Sequence, residues 1–348
     1  MIKKEQKMDP IIEQQLVDWR TRALNLEQEL NQIILGLSPA IRLLLIAIFS
    51  RGHVLLEGNV GVGKTTLLRA AARALGGGYQ RVEGTIDLMP QDLIYHTYID
   101  AEGKPKVDPG ALIAQGESLS VFFFNEINRA RPQVHSLLLR VMAERSVTAF
   151  NREYYFPHLQ VFADRNAVER DETFELPGAA RDRFLMEIEV SPSQDSAIHK
   201  ALTFETRFHN TDKLIEAISQ GALDYEKLTD FVPMIQETVV ASEKIQNFVE
   251  HLRKATHDPK AYDIQIPDVE MSELMLAGIG PRGSSMLVRA AKVAAWLDGR
   301  LNLTPEDVAT VFHTVVAHRV FFTPIYELQR SWLAKAYTEA ILSHVPMP

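Results

Sequence analysis

The chain contains no cysteine. That excludes disulfides, zinc–thiolate sites and thiol catalysis, and a reducing compartment is easily tolerated. It also lacks a long apolar segment. The greasiest run, Leu43 to Phe49, is far shorter than the ~20 residues a membrane-spanning helix needs. The first residues, MIKKEQKMDPIIEQQ, have no apolar h-region, so no secretory signal is expected. Nor is there an excess of positive charge. Lys and Arg number 37 against 45 Asp and Glu, a formal net charge of −8. This argues against broad binding to nucleic acid or anionic membranes, while leaving room for local basic patches. No internal repeat or low-complexity tract is visible. The expectation is a cytoplasmic, soluble protein with no membrane contact, and 348 residues suffice for two domains.

Glu57 to Thr66, EGNVGVGKTT, is the most informative stretch. Gly58, Asn59, Val60, Gly61, Val62, Gly63, Lys64 and Thr65 satisfy G-x-x-x-x-G-K-[ST], the phosphate-binding loop, with Thr66 directly behind. His53 to Leu56 ahead of it reads as a buried parallel strand, and Thr66 to Leu75 as a helix. Strand, glycine loop and helix together are the context the motif requires. Backbone N–H groups of the loop can cradle phosphate oxygens, helped by the positive helix N-terminus. Lys64 would reach the β- and γ-phosphates of ATP, and Thr65 would place its hydroxyl on Mg²⁺.

Along the chain, residues 1 to about 35 read as a helical extension with an apolar stripe of Leu16, Trp19, Leu24, Leu26, Leu30 and Ile33. Ser38-Pro39 reads as a cap and first turn of the next helix. Gly76 to Gly78 end the helix after the phosphate loop, and Tyr79 to Glu83 suit a second strand. Gly84 to Gly116 is irregular and reads as an insertion. Leu119 to Phe124 is a central strand, Gln133 to Glu144 an amphipathic helix, and Val147 to Phe156 a hairpin around Asn151-Arg152. Leu159 to Ala163 and Leu185 to Val190 supply further strands. Strands alternating with helices imply a parallel α/β sheet. After Ser191-Pro192 everything reads as helical, including Leu274 to Leu276, Ser284 to Asp298, Pro305 to Val320 and Leu328 to Leu342. Thr304-Pro305-Glu306-Asp307 is a strong helix start. The division is 1–35, a helical extension; 36–191, an α/β nucleotide domain; and 192–348, a helical linker and lid.

Val121 to Glu126 is an apolar strand ending in two polar groups, and it resembles a Walker B element. Glu126 would act as general base or water orienter. The position that faces the metal is usually Asp and here is Asn125. Its amide oxygen can still accept a hydrogen bond from metal-bound water, but the charge that a hard cation prefers is gone. Nucleotide binding is expected to survive and hydrolysis to be slowed. The histidines His53, His135, His158, His199 and His209 are too scattered in sequence for a metal site.

From here the chain resembles the MoxR family of AAA+ ATPases. The resemblance rests on NEINRARPQVHSLLLRVMAERSVT after Walker B, RVEGTIDLMPQDL entering the helix-2 insert, FADRNAVERDETFELPGAARDRF, GIGPRGSSMLVRAAKVAAWLDGR, LTPEDV and AHRV. These ordered motifs cover about residues 30 to 320. The resemblance implies a P-loop AAA+ α/β domain with a helix-2 insert, an all-α lid, and a ring that is most often a hexamer. It implies ATP with Mg²⁺, and ATP-driven remodelling of a client protein, often with a von Willebrand factor A domain partner. Asn166 matches sensor 1, Arg183 the arginine finger acting on a neighbouring subunit, and Arg282 sensor 2. Arg181 lies close enough to Arg183 to compete for that assignment.

The chain also departs from the family pattern. Val60 stands in place of proline, Asp164-Arg165 in place of Thr-Gln, and Ala167 in place of proline; Gly178, Ala180 and Arg181 differ as well. Asp164 ends the sensor 1 strand, beside the Walker B strand in this family. It could restore the carboxylate that Asn125 lacks, or be a solvated strand end. Two other functions stay open on sequence grounds: a low-turnover nucleotide switch or scaffold, favoured by Asn125, and a nucleic-acid motor, disfavoured by the net charge.

Overall fold

The computed structural model describes residues 9–166 and 173–348. Ala167 and the start of the helical extension, residues 1–8, fall outside them. The chain opens with α1 (Pro10–Ile33) and α2 (Ser38–Phe49), followed by β1 (His53–Glu57), α3 (Lys64–Leu75) and β2 (Gly78–Glu83). The insertion folds as a hairpin of β3 (Tyr95–Ile99) and β4 (Pro105–Pro109). Then come β5 (Leu119–Asn125), α4 (Pro132–Glu144), a second hairpin of β6 (Ser146–Ala149) and β7 (Arg152–Tyr155), β8 (Gln160–Arg165), α5 (Gly178–Arg181) and β9 (Phe184–Glu189). The remainder is helical: α6 (Ser196–Phe204), α7 (Thr211–Glu216), α8 (Tyr225–Thr238) and α9 (Glu243–His257). It continues through β10 (Met275–Ala277), α10 (Pro281–Leu297), α11 (Pro305–Val316), β11 (Phe321–Phe322), α12 (Pro324–Glu327) and α13 (Arg330–His344).

Five strands form one parallel sheet in the order β2-β5-β8-β1-β9. Its inner strands are apolar on both faces because helices cover both. Val54, Leu56, Val121, Phe123 and Phe162 face the core shared with α1, α2, α3 and the lid. Leu55, Phe122, Phe124, Val161 and Ala163 face the core built with α4 and the two hairpins. Thus the run Phe122-Phe123-Phe124 divides between two cores by strand alternation alone.

Local readings held with four corrections. The buried stripe of α1 is Leu16, Trp19, Ala23, Leu26 and Leu30, with Leu24 39% exposed and Ile33 only half-buried. Spacings of three and four select Ala23, and Leu24 lies one position off that seam. Ser38 is already helical and forms no side-chain cap. Leu274 to Leu276 is not helical, because Met275 and Ala277 pair antiparallel with Phe322 and Phe321. The helix from Pro305 stops at Val316, and Arg319 and Val320 lead into β11 instead. The Thr304 start is as expected, with Thr304 N–H donating to the Asp307 carboxylate at 2.8 Å.

α1 is docked on the body by aromatic packing. Trp19 stacks on Phe231 with centroids 4.9 Å apart and meets the edge of Phe49 at 6.2 Å. The Trp296 indole N–H donates to Leu16 O at 3.1 Å. Truncating Trp19 removes its contacts with Phe231 and Phe49 and leaves a cavity, so Trp19→Ala should cost about 3 kcal/mol of unfolding free energy by chemical denaturation.

His53 holds the start of the central strand. Val161 N–H donates to its Nδ1 at 2.9 Å, so Nε2 carries the proton and donates to Met142 O at 3.2 Å. Burial pushes its pKa down to about 4. The folded value lies below the unfolded one of about 6.5. The neutral ring therefore contributes stability above that pH, and the contribution is lost as pH falls from about 6.5 toward 4. Burial shifts His318 the same way. Unfolding free energy should fall across that window, and less steeply in His53→Gln.

Candidate active site

The phosphate loop connects β1 to α3, and its shape depends on glycine. Gly61 and Gly63 have φ of +81° and +93°, backbone that side chains with a Cβ rarely adopt. The loop borders a cavity of about 260 Å³ lined by Val60 to Thr66, Asn125, Glu126, Asp164, Arg165 and Asn166. The sheet order explains the convergence. β8 lies between β5 and β1, so the carboxyl ends of all three strands open at one place.

Lys64 is buried, and its Nζ donates to Gly58 O at 2.6 Å and Asn59 O at 2.8 Å. Thr65 hydroxyl donates to Asn125 Oδ1 at 3.3 Å. The Asn125 amide nitrogen donates to the Glu83 carboxylate at the tip of β2. Gly84, next to Glu83, is pressed against this strand tip: a Cβ there would lie 2.1 Å from Glu126 O. Glu126 itself is left-handed, with φ +51°, an unusual conformation for a side-chain-bearing residue. Its N–H donates to Asp164 Oδ1 at 2.6 Å, and its carboxylate accepts from Arg129 Nη1 at 3.1 Å.

Asp164 is buried at 3% exposure. Burial pushes its carboxyl pKa up, against the pull of the Glu126 N–H and the Lys64 charge. Asn166 is buried beside it. Arg165 bridges Glu57 at 2.9 Å and Glu187 at 2.6 Å. Burial alone would lower its pKa, but the two carboxylates more than offset this and hold it charged.

The three other arginines singled out in the sequence lie away from this lining. Arg183 is half-buried and donates to Ala179 O at 2.8 Å. Arg181, its neighbour, is buried against the lid: it faces Glu327 at 3.7 Å and lies over the Phe321 ring. Of the two, Arg183 is the more exposed. Arg282 pairs with Asp182 at 2.8 Å instead of entering the cavity.

Sequence reasoning missed Glu83, the Glu57–Glu187 pair around Arg165, and Arg319. Buried Arg319 donates to Asp182 Oδ1 at 3.2 Å, Asp182 O at 3.1 Å, Leu185 O at 3.2 Å and the carbonyls of Phe184 and Val315. Burial pushes its pKa down to about 10. The AHRV motif was the signal, but its spacing does not show where the guanidinium goes.

The donor set suits a magnesium nucleotide. A glycine loop with a lysine meets phosphate oxygens, while Thr65, Asn125 and Asp164 offer only hard oxygen ligands. Among the described residues no three His, Cys, Asp or Glu side chains are grouped to hold a metal unaided. A cation here would therefore be shared with phosphate oxygens and water, as Mg²⁺ usually is. Also among the described residues, no helix is long and apolar enough to cross a membrane.

Sheet, phosphate loop and helical lid define an ATPase of the AAA+ class. Residues 53–186 match the ATPase family associated with various cellular activities (AAA), and residues 271–336 match the AAA lid domain. The chain belongs to the MoxR family of these ATPases. It is 56% identical over 333 residues to Protein MoxR of Methylorubrum extorquens, covering 96% of this chain and 97% of that one. Protein MoxR of Paracoccus denitrificans is 53% identical, over 95% of this chain and 98% of its own. Chaperone MoxR1 of Mycobacterium tuberculosis is 31% identical, over 85% and 74%. A crystal structure of a Cytophaga hutchinsonii protein superimposes with a TM-score of 0.81 at 26% identity, covering 97% of this chain and 98% of that one.

The Asp182 cluster yields a stability contrast. Removing its carboxylate takes away the ion-pair partner of buried Arg319, so Asp182→Ala should cost about 3 kcal/mol. Arg282, 55% exposed at the side chain, should cost under about 1 kcal/mol when replaced by Ala. Denaturant unfolding of the two variants checks the order.

Proposed function

We propose that this chain hydrolyses ATP with Mg²⁺ and uses the cycle to remodel a client protein as a ring, most simply a hexamer. The observation that carries the reading is the assembly of Lys64, Thr65, Asn125, Glu126 and Asn166 around one cavity. Lys64, with the loop N–H groups from Gly58 to Thr66, would hold the phosphates. Thr65 and Asn125 would hold Mg²⁺, which when bound would neutralise charge on the phosphoryl oxygens. Water attacks the γ-phosphorus, the bond to the ADP oxygen breaks, and the Glu126 carboxylate takes the water's proton. Asn166 would orient that water or the γ-phosphate.

Arg183 lies outside its own cavity's lining, which supports a role on the nucleotide of a neighbouring subunit. Such a finger requires a head-to-tail contact that closes into a ring. Arg282 would sense the phosphates from the lid after leaving Asp182. The name of the mycobacterial relative supports chaperone-like work on a client, with a von Willebrand factor A domain protein as the partner to look for. A low-turnover switch is the second reading, favoured by the missing charge at Asn125.

Steady-state Mg²⁺-dependent ATP hydrolysis measured against protein concentration tests this. Activity per subunit should rise with concentration. Glu126→Gln should lower kcat by about 10²–10³-fold while retaining ATP binding. Tight ATP binding without turnover at any concentration would establish the switch instead.

A further inference from the structure

We propose that Asp164 supplies the metal-facing negative charge of this site in place of residue 125, and that Glu83 is what keeps residue 125 an amide. The inference rests on the nucleotide-binding reading above and assigns the metal side of that same site.

Asn125 is committed in two directions. Its Oδ1 accepts from the Thr65 hydroxyl at 3.3 Å, and its Nδ2 donates to the Glu83 carboxylate. The second contact needs an N–H donor. An aspartate at 125 would set two carboxylates at hydrogen-bond distance with no proton between them; Arg81, paired with Glu83, offsets part of that charge, but the contact itself turns from attraction to repulsion. The register fixes this encounter, because β2 runs beside β5 with Glu83 opposite Asn125. Gly84 keeps the two strand tips in close approach. The amide therefore replaces a repulsion by a hydrogen bond, at the loss of the charge beside Thr65.

The other flank of β5 carries the replacement. β8 pairs with Ala163 opposite Phe124, so Asp164 stands level with Asn125 one strand over. It lines the same cavity as Lys64, Thr65 and Asn125. It is 3% exposed, and among the described residues its hydrogen bond is the one from Glu126 N–H to Oδ1. A carboxylate this buried, with one neutral hydrogen-bond donor and the Lys64 charge on the same cavity, still gains from a further positive charge. A divalent cation held with the help of Thr65 would provide it, and a hard cation would gain a charged oxygen where residue 125 offers a neutral one. Asp164 thus does two jobs with two oxygens: Oδ1 fixes the backbone of Glu126, and the carboxylate's charge faces the cation or its water shell.

The test is equilibrium binding of a fluorescent, non-hydrolysable ATP analogue, titrated with Mg²⁺ and also read in EDTA. In Asp164→Asn the EDTA affinity should be unchanged or tighter, since a charge near the phosphates is gone. The Mg²⁺ concentration for half-maximal effect should rise by about tenfold or more. Glu83→Gln with Asn125→Asp creates a carboxylate at the ordinary place without the clash. In the Asp164→Asn background this pair should restore the Mg²⁺ response; in the otherwise unchanged chain it should shift the half-point by less than about threefold. An unchanged half-point in Asp164→Asn overturns the proposal. So does a gain of about tenfold from the Glu83–Asn125 pair alone, since the metal-side charge would then have been missing; that arm does not depend on Asp164→Asn folding. If the unmodified chain binds no analogue in either condition, the nucleotide reading fails and takes the proposal with it, an outcome distinct from the other two.

Discussion

The position of β8 between β5 and β1 is the constraint on which the site depends. All strands of the sheet run the same way, so their carboxyl ends open on one edge. The phosphate loop leaves from β1, Asn125 and Glu126 from β5, and Asp164 to Asn166 from β8. No residue at these tips is independent of its neighbours. Asn125 is held by Glu83 on one side and Thr65 on the other, while Asp164 holds the backbone of Glu126. A substitution at one tip therefore changes the charge balance at the next, so the effect of an amide in the Walker B position depends on the acids at the neighbouring tips. The charge must be counted over three strands.

A second set of buried ionic contacts ties the sheet strands to one another and to the lid. Arg165 ties the tip of β8 to Glu57 on β1 and Glu187 on β9. Arg319, in the turn between α11 and β11, is spread over Asp182 and the first carbonyls of β9. Buried guanidinium groups with several fixed acceptors favour one arrangement over near alternatives, because a half-satisfied network costs more than an apolar one. α1 reinforces the same junction from outside through Trp19 and the Trp296–Leu16 hydrogen bond.

The sheet, the phosphate loop and the positions of Asn125, Glu126 and Asn166 were legible in the residues, because strand–loop–helix order and strand ends are local properties. What was not legible follows from pairing. That Glu83 would face Asn125 requires knowing that β2 lies beside β5. The course of Arg319 and the pairing of Arg282 with Asp182 join positions far apart in the chain. Leu276 was misread because a three-residue strand has no period of its own; its pairing with β11 defines it. Leu24 was misread because hydrophobicity was weighed before phase, and Ala23 lies in phase.

The Asp182 cluster belongs to the contacts between sheet and lid. Asp182 accepts from Arg319, which is fixed and buried, and from Arg282, which is half-exposed at the start of α10. The next residue is Arg183. The pair with Arg282 is worth little to stability because it is exposed, and for that reason it can be exchanged for another anion at small cost. The pair with Arg319 is not exchangeable in this way. A lid that withdraws Arg282 toward phosphate would leave Asp182 anchored by Arg319 alone. It would thereby change the electrostatic surroundings of the residue proposed to reach a neighbouring subunit. One weak and one strong ion pair on a single carboxylate would in that way relate the position of Arg282 to the surroundings of Arg183.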